Sequence, residues 1–206
     1  MSSNDEAPAA RSPGRPRSAA VDEAILGAAI DLLVEQGVGQ VSIKQVAQRA
    51  GVTRDAVYRR FPDLTALLVR AVEWEYRDAE PVEWPDLDSM IAGLAGQLSR
   101  PRDRKLFRRL YAAVDDFPAL LHAYAEAHGR RRVEAALAAL ARAQRLGELP
   151  PHADPVVLQQ VLAGAAVHYV SVNPDDSGEE AIRAYFAEVL QQVGYRPASE
   201  GEHGDE

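Results

Sequence analysis

The tightest constraint on this chain is the turn Ala50-Gly51-Val52-Thr53, which separates two short stretches of helical spacing. Before it, Ile43, Val46, Ala47 and Ala50 recur at intervals of three and four, the period of one apolar helix face. Ser42 precedes that stretch and Gln45 follows three residues on, as in a capping box. Gly51 can take the backbone conformation that a tight reversal needs. Val52 is placed to pack under the turn, and Thr53 can cap a next helix, read here as Arg54 to Arg60, which Pro62 breaks. Val57 and Phe61 fall on one face of it and can pack on a preceding helix.

The flanking sequence is helical too. Ser18 can cap a first helix, with Asp22 and Glu23 near its positive end and Val21, Ile25, Ala28, Leu32 and Leu33 along one stripe. Gly37 is placed to stop it. Asp63 caps a fourth helix carrying Leu64, Leu67, Leu68, Val72 and Tyr76. Glu80 to Asp86, with two prolines, reads as a hinge. Beyond it the spacing predicts helices over Leu87 to Leu98, Arg102 to about Asp115, and Pro118 to about Arg145, the last ended by Gly147. Asp154 caps another, with Leu158, Val161, Leu162, Ala165 and Tyr169 on one stripe. After a turn at Asn173 to Gly178, a final helix carries Ile182, Phe186, Val189, Leu190 and Val193. The expected fold is all-α, with about nine helices: a three-helix helix-turn-helix domain followed by a larger helical domain. The expected divisions are a disordered arm over 1–17, the helix-turn-helix domain over 18–63, a connecting helix over 64–80, a second domain over 81–196 and a disordered acidic tail over 197–206.

Composition excludes some functions. The 206 residues include no cysteine, which removes disulfides, thiolate nucleophiles and thiolate-held zinc. No apolar run is expected to approach the roughly 18 residues that span a bilayer, and the N-terminus lacks the apolar core of a signal peptide, so a soluble cytoplasmic protein with no membrane partner is expected. The net charge of −8 is unevenly spread. Residues 11–62 hold eight basic and five acidic side chains, whereas 63–206 hold 15 basic and 24 acidic. A basic head on an acidic body suits a protein that presents one face to phosphates. On the helix after the turn, Thr53, Arg54, Asp55, Tyr58 and Arg59 spread across the face opposite Val57. Arginine can read guanine, aspartate can accept from cytosine, and tyrosine and threonine hold phosphates.

These residues resemble a known family. Gly14-Arg15-Pro16-Arg17 precedes a helix ending Glu35-Gln36-Gly37, followed by Val41 to Thr53, Val57 to Pro62 and Leu67-Leu68. Over about 55 residues this resembles the DNA-binding domain of the TetR family of bacterial regulators. Gly147-Glu148-Leu149-Pro150, Asp154-Pro155 and the two last helices resemble its more variable C-terminal domain. The resemblance implies phosphate contacts from Ser42, Lys44, Tyr58 and Arg60, the last where histidine is frequent. It implies base contacts from Thr53, Arg54 and Asp55. Arg15 and Arg17 would lie in an arm able to enter a minor groove. The sequence departs from the family at Leu64, where a phosphate-binding lysine is common.

The resemblance further implies a repressor that binds a palindromic operator as a homodimer. The dimer would form through the last two helices, about Asp154 to Val172 and Gly178 to Val193, with Ala163, Gly164, Ala165 and Ala166 allowing close approach. A small, partly apolar effector would bind the C-terminal domain and release the DNA. Aromatic and polar-tipped residues on helices five to eight, Trp84, Phe107, Tyr111, Tyr124 and His168, are the candidate lining. No cofactor, metal or catalytic residue is expected. His122, His128, His152 and His168 match no ligand spacing, and there is no Gly-rich phosphate loop or nucleophile elbow.

Overall fold

A computed structural model describes residues 16–79 and 82–197, and among them every regular element is helical. The expected arm, save Pro16 and Arg17, lies outside the described residues, as do Glu80, Pro81 and residues 198–206 of the expected tail. Helix α1 (Pro16–Gln36) begins before the anticipated cap, so Ser18 sits in its first turn; proline's fixed φ suits that position. Gly37 ends it at φ 83°, its N–H donating to the Leu33 carbonyl at 3.0 Å. An unanticipated 3-10 turn, Val38–Gln40, then buries Val38 and leads into α2 (Ile43–Arg49) and α3 (Arg54–Tyr58). Helix α3 is shorter than expected. Pro62 disfavours helical backbone at Phe61, so the end tightens and the Arg60 N–H bonds back to Val57 rather than to Ala56.

The remaining helices are α4 (Leu64–Glu75), α5 (Leu87–Leu98), α6 (Pro101–Ala112), α7 (Pro118–Tyr124), α8 (Arg130–Arg145), α9 (Pro155–Val172) and α10 (Glu179–Gln192). Helices α7 and α8 are joined by a π segment, Ala125–Gly129, whose flanking residues keep helical dihedrals. The three pieces therefore run on as the one long helix that the spacing predicts, and counted so there are nine helices among the described residues.

Two apolar cores hold the chain. One joins Ile25, Ile30 and Leu33 of α1 to Val46, Val57, Leu67, Leu68 and Val72, and takes in Leu106 and Leu110 of α6 and Leu120 of α7. The other joins Leu87, Met90 and Ile91 of α5 to Leu140 of α8, Leu162 of α9 and Phe186 and Leu190 of α10. Helix α6 is a strut between them. On one side Arg102 pairs with Asp31 (2.8 Å) and Glu75 (3.1 Å), and Arg109, two turns on, donates to the Glu35 carbonyl at 3.2 Å. On the other, Arg104 donates to the Asn173 carbonyl (3.1 Å), and Arg108 to the Val170 carbonyl (3.0 Å) and Asp175 (2.6 Å), at the end of α9. Arginine at a helix C-terminus satisfies carbonyls that have no partner within the helix.

Helix α9 is long and apolar enough to cross a bilayer by length and composition alone, with mean hydropathy 1.3 over 18 residues, 28% of them buried. Gln159, Gln160 and His168 interrupt its apolar run, which hid its length from a search for unbroken stretches. Its buried stripe is Leu158, Leu162, Ala166, Tyr169 and Val170. Val161, expected on that stripe, instead lies on an outer one with Val157, Gly164 and His168.

Candidate nucleic-acid interface and effector cavity

The head is built by local caps. The Ser42 hydroxyl accepts from the Gln45 N–H (3.3 Å) and donates to Gln45 Oε1 (2.7 Å), while Gln45 Nε2 donates to Gln36 on α1 (3.1 Å). Gly51 takes φ 67°, a left-handed conformation that other residues rarely adopt, and the Val52 N–H closes the turn on the Ala47 carbonyl at 2.9 Å. Thr53 accepts from the Ala56 N–H at 3.2 Å, fixing the start of α3. Val57 and Phe61 are buried against the head core, as the helical phase requires.

The opposite face is open. Thr53, Arg54, Asp55 and Arg59 are exposed, Tyr58 is 55% exposed, and Lys44 stands exposed on the first turn of α2. Among the described residues Arg49 pairs with Glu35 at 2.7 Å and Arg60 pairs with Asp22, whereas Lys44, Arg54 and Arg59 form no ion pair. Two of the expected contacts sit differently. Arg60 turns back to the scaffold, its Nε donating to Asp22 and its Nη1 to the Ala56 carbonyl. The Ser42 hydroxyl is engaged in its own cap. Arg15 lies outside the described residues, and Arg17 is placed on the first turn of α1. Leu64 is half-buried against the head core, an apolar contact that a lysine would not replace.

Beneath the head, a cavity of about 660 Å³ opens between α5, α6, α7–α8 and α9. Trp84, Phe107, Tyr111 and Tyr124 all line it. His168 does not: it is exposed on α9, whose cavity side carries Gln159, Leu162, Ala163 and Ala166. Met90, Leu94, Leu98, Leu121 and Val133 add apolar wall, and Ala125, Glu126 and Gly129 bring the π segment to its edge. Such bulges recur at functional sites. Burial pushes the Tyr124 phenol up to about 12. The aromatics continue out of the cavity: Tyr111 to Phe107 (4.6 Å between centroids), Phe107 to Tyr124 (6.1 Å), Tyr124 to Tyr76 (5.4 Å). Tyr76 caps the C-terminus of α4 and stacks on His128 at 4.3 Å. His128 Nε2 lies 2.8 Å from the Gln97 amide nitrogen, and burial lowers its pKa to about 4, so it is neutral at pH 7.

Residues 25–71 match the family described as bacterial regulatory proteins of the tetR family, and residues 84–189 match the tetracyclin repressor-like C-terminal domain. The chain belongs to the TetR family. It is a DNA-binding transcriptional regulator, and its relatives are regulators rather than enzymes. It is 25% identical over 193 residues to YdeS of Bacillus subtilis, an uncharacterised HTH-type transcriptional regulator, covering 91% of this chain and 96% of that one. The TetR fold is seen again in Salmonella enterica GusR (TM-score 0.66, 20% identity, 87% of this chain and 95% of that one). It is seen also in NalD, the secondary repressor of the MexAB-OprM multidrug efflux pump in Pseudomonas aeruginosa (TM-score 0.61, 20% identity, 88% and 100%).

Within this TetR fold, sequence reasoning passed over Arg132 and Gln97 at the cavity, and the place of His128 behind Gln97. Arg132 falls in the run Arg130-Arg131-Arg132, which reads as a solvated charge cluster. Only the phase of the long helix turns the third arginine inward while Arg130 pairs with Glu126 at 2.8 Å.

Proposed function

We propose that this regulator is a repressor that reads a palindromic operator as a homodimer and is released when a small, partly apolar ligand fills the cavity under its head. The observation that carries the reading is the outer face of α3, where a helix capped by Thr53 and anchored by Val57 and Phe61 offers Thr53, Arg54, Asp55, Tyr58 and Arg59 to a groove. Arg54 and Asp55 are assigned to base edges with Thr53. Lys44, Tyr58 and Arg59 are assigned to phosphates. Ser42 and Arg60 are left a supporting role, since their side chains already bond to the protein. Arg15 and Arg17 keep the minor-groove role that the resemblance implies.

The outer stripe of α9 supports the dimer. Val157 (52% exposed), Val161 (41% exposed) and Gly164 recur with His168 at helical spacing, and a Cβ on Gly164 would meet nothing. Ala181 and Ala184 stand exposed on α10. Four such helices, two from each copy, would bury these faces across a twofold axis. Residues 81–196 would then form the sensing and dimerising body, 18–63 the reader and 64–80 their connection. Ligand in the cavity would bear on Phe107 and Tyr124, and through α6 and Tyr76 on α1 and α4, favouring a dimer whose reading helices are wrongly spaced. The repressor named among the similar structures, NalD, agrees with the proposed sign of regulation.

Selection of bound DNA from a random pool by the full-length protein tests the reading. An enriched inverted repeat, bound by a species that sediments as a dimer, is expected. A single unrepeated site bound by a monomer, or no enrichment, would overturn it.

A further inference from the structure

The cavity holds a cation that forms no ion pair among the described residues. Arg132 lines it, its guanidinium 5.1 Å above the Trp84 ring, and its single hydrogen bond is a long one to the Gly93 carbonyl, 3.4 Å. The carboxylates nearby are engaged elsewhere: Asp103 with Arg100 (2.9 Å), Glu75 with Arg102 (3.1 Å), Glu126 with Arg130 (2.8 Å). Glu134 also reaches the cavity's edge, but it is exposed and forms no ion pair with Arg132. Among the described residues Arg132 has no ion pair. Desolvation lowers its pKa, with Arg100 acting in the same direction and Tyr124, Tyr76 and Asp103 only partly opposing it. A half-buried cation without a paired carboxylate is costly to hold. Most of the wall is carbon, with Met90, Leu94, Leu98, Phe107 and Leu162 among it, and Gln97 and Gln159 add neutral polar groups.

We infer that the cavity takes an organic anion with a bulky apolar body, whose acidic head pairs with the Arg132 guanidinium while the body lies along the aromatic and aliphatic wall. The inference rests on the reading of this cavity as the effector site and names the chemistry of its ligand. A carboxylate, sulfonate or phosphate monoester head would each supply the missing charge, and a guanidinium fork donates two parallel hydrogen bonds to any of them. The volume suits a ligand of metabolite or drug size. Trp84 stands over the same guanidinium, so a planar body can continue its stack. The apolar wall alone would hold a neutral or cationic hydrophobe as well; Arg132 separates these classes.

Three probes with one body and three heads make the test: 1-pyrenebutyrate, 1-pyrenebutanol and 1-pyrenebutylammonium, each titrated into the full-length protein and followed by pyrene anisotropy. The butyrate is expected to bind about tenfold or more tighter than the alcohol, and the ammonium weakest. Arg132→Gln should erase the gap between butyrate and alcohol while leaving alcohol binding unchanged, which also shows that the variant is folded. Arg132→Lys should keep the order. Alcohol or ammonium binding the wild type as tightly as butyrate, or a gap that survives Arg132→Gln, overturns the charge assignment and leaves the cavity as effector site intact. Failure of all three probes to bind, or binding untouched by a Leu94→Trp substitution that fills the cavity, overturns the effector-site reading and the inference with it.

Discussion

Arg60 and Arg54 lie six residues apart in the same reading unit, yet one is tied to Asp22 and the other stands clear of any carboxylate among the described residues. Their substitutions should therefore fail in different ways. Arg54→Ala is expected to relax preference at individual operator positions, by about 1–3 kcal/mol each, in competition binding against single-base variants. Lys44→Ala should weaken binding to every sequence alike and flatten the dependence of log affinity on log salt by about two units for a dimer. Arg60→Ala should leave base preference in place and lower the melting temperature, by the equivalent of about 1 kcal/mol for a partly exposed pair. His128 gives a pH signature. Its folded pKa, about 4, lies below the ordinary histidine value, so protons bind the unfolded chain first as pH falls. Stability contributed by keeping it neutral is whole above about pH 6.5 and is lost between there and pH 4, by up to about 2 kcal/mol for a group that is not fully buried. Between pH 6.5 and 4 the melting temperature of His128→Asn should fall less steeply than that of the wild type, and parallel pH profiles would count against the assignment.

At the scale of elements, the starts of the helices were readable because caps are local. Ser42, Thr53, Asp63, Asp86 and Asp154 each accept a backbone N–H two or three residues on, so the signal and its structure share one short segment. Glycine at Gly37, Gly51 and Gly147 was equally local, since only a positive φ was at stake. What each face meets was not local. Leu106 and Phe107 are neighbours in sequence, yet the first joins the head core and the second the cavity. His168 was placed in the cavity because its type fits, whereas the helix phase set by Ala166 and Tyr169 carries it outward. The outer stripe of α9 makes the corresponding prediction: Val161→Glu should yield a folded monomer by sedimentation, with its circular dichroism unchanged and its operator affinity reduced. At the cavity, a Cβ on Gly93 would come within 2.6 Å of Trp84 Nε1. Gly93→Ala is therefore expected to push the indole from its place beside Arg132, seen as a shift in tryptophan emission, with operator binding unaltered.

At the scale of the molecule, charge and packing divide along different lines. The basic head gives way to the acidic body after residue 62, but the head core reaches past that point and past the linker to Leu106, Leu110 and Leu120. Arg102 and Arg109 tie the same helix to α1 and α4, while Arg104, which is fully buried, and Arg108 tie it to the end of α9. A movement of α6 driven from the cavity therefore acts on both cores at once.

That shared strut also limits how such a protein can be taken apart. A fragment ending at the linker would leave the inner face of Leu67, Leu68 and Val72 without α6 and α7, and is expected to melt without a cooperative transition. A hybrid that joins this head to a relative's sensor inherits the same difficulty, because the surface that receives the head is encoded some twenty residues beyond the obvious seam. The heritable unit is the reader together with Leu106, Leu110 and the arginines at 102 and 109. Crossovers that ignore them should give regulators whose sensor folds but whose head melts without a cooperative transition.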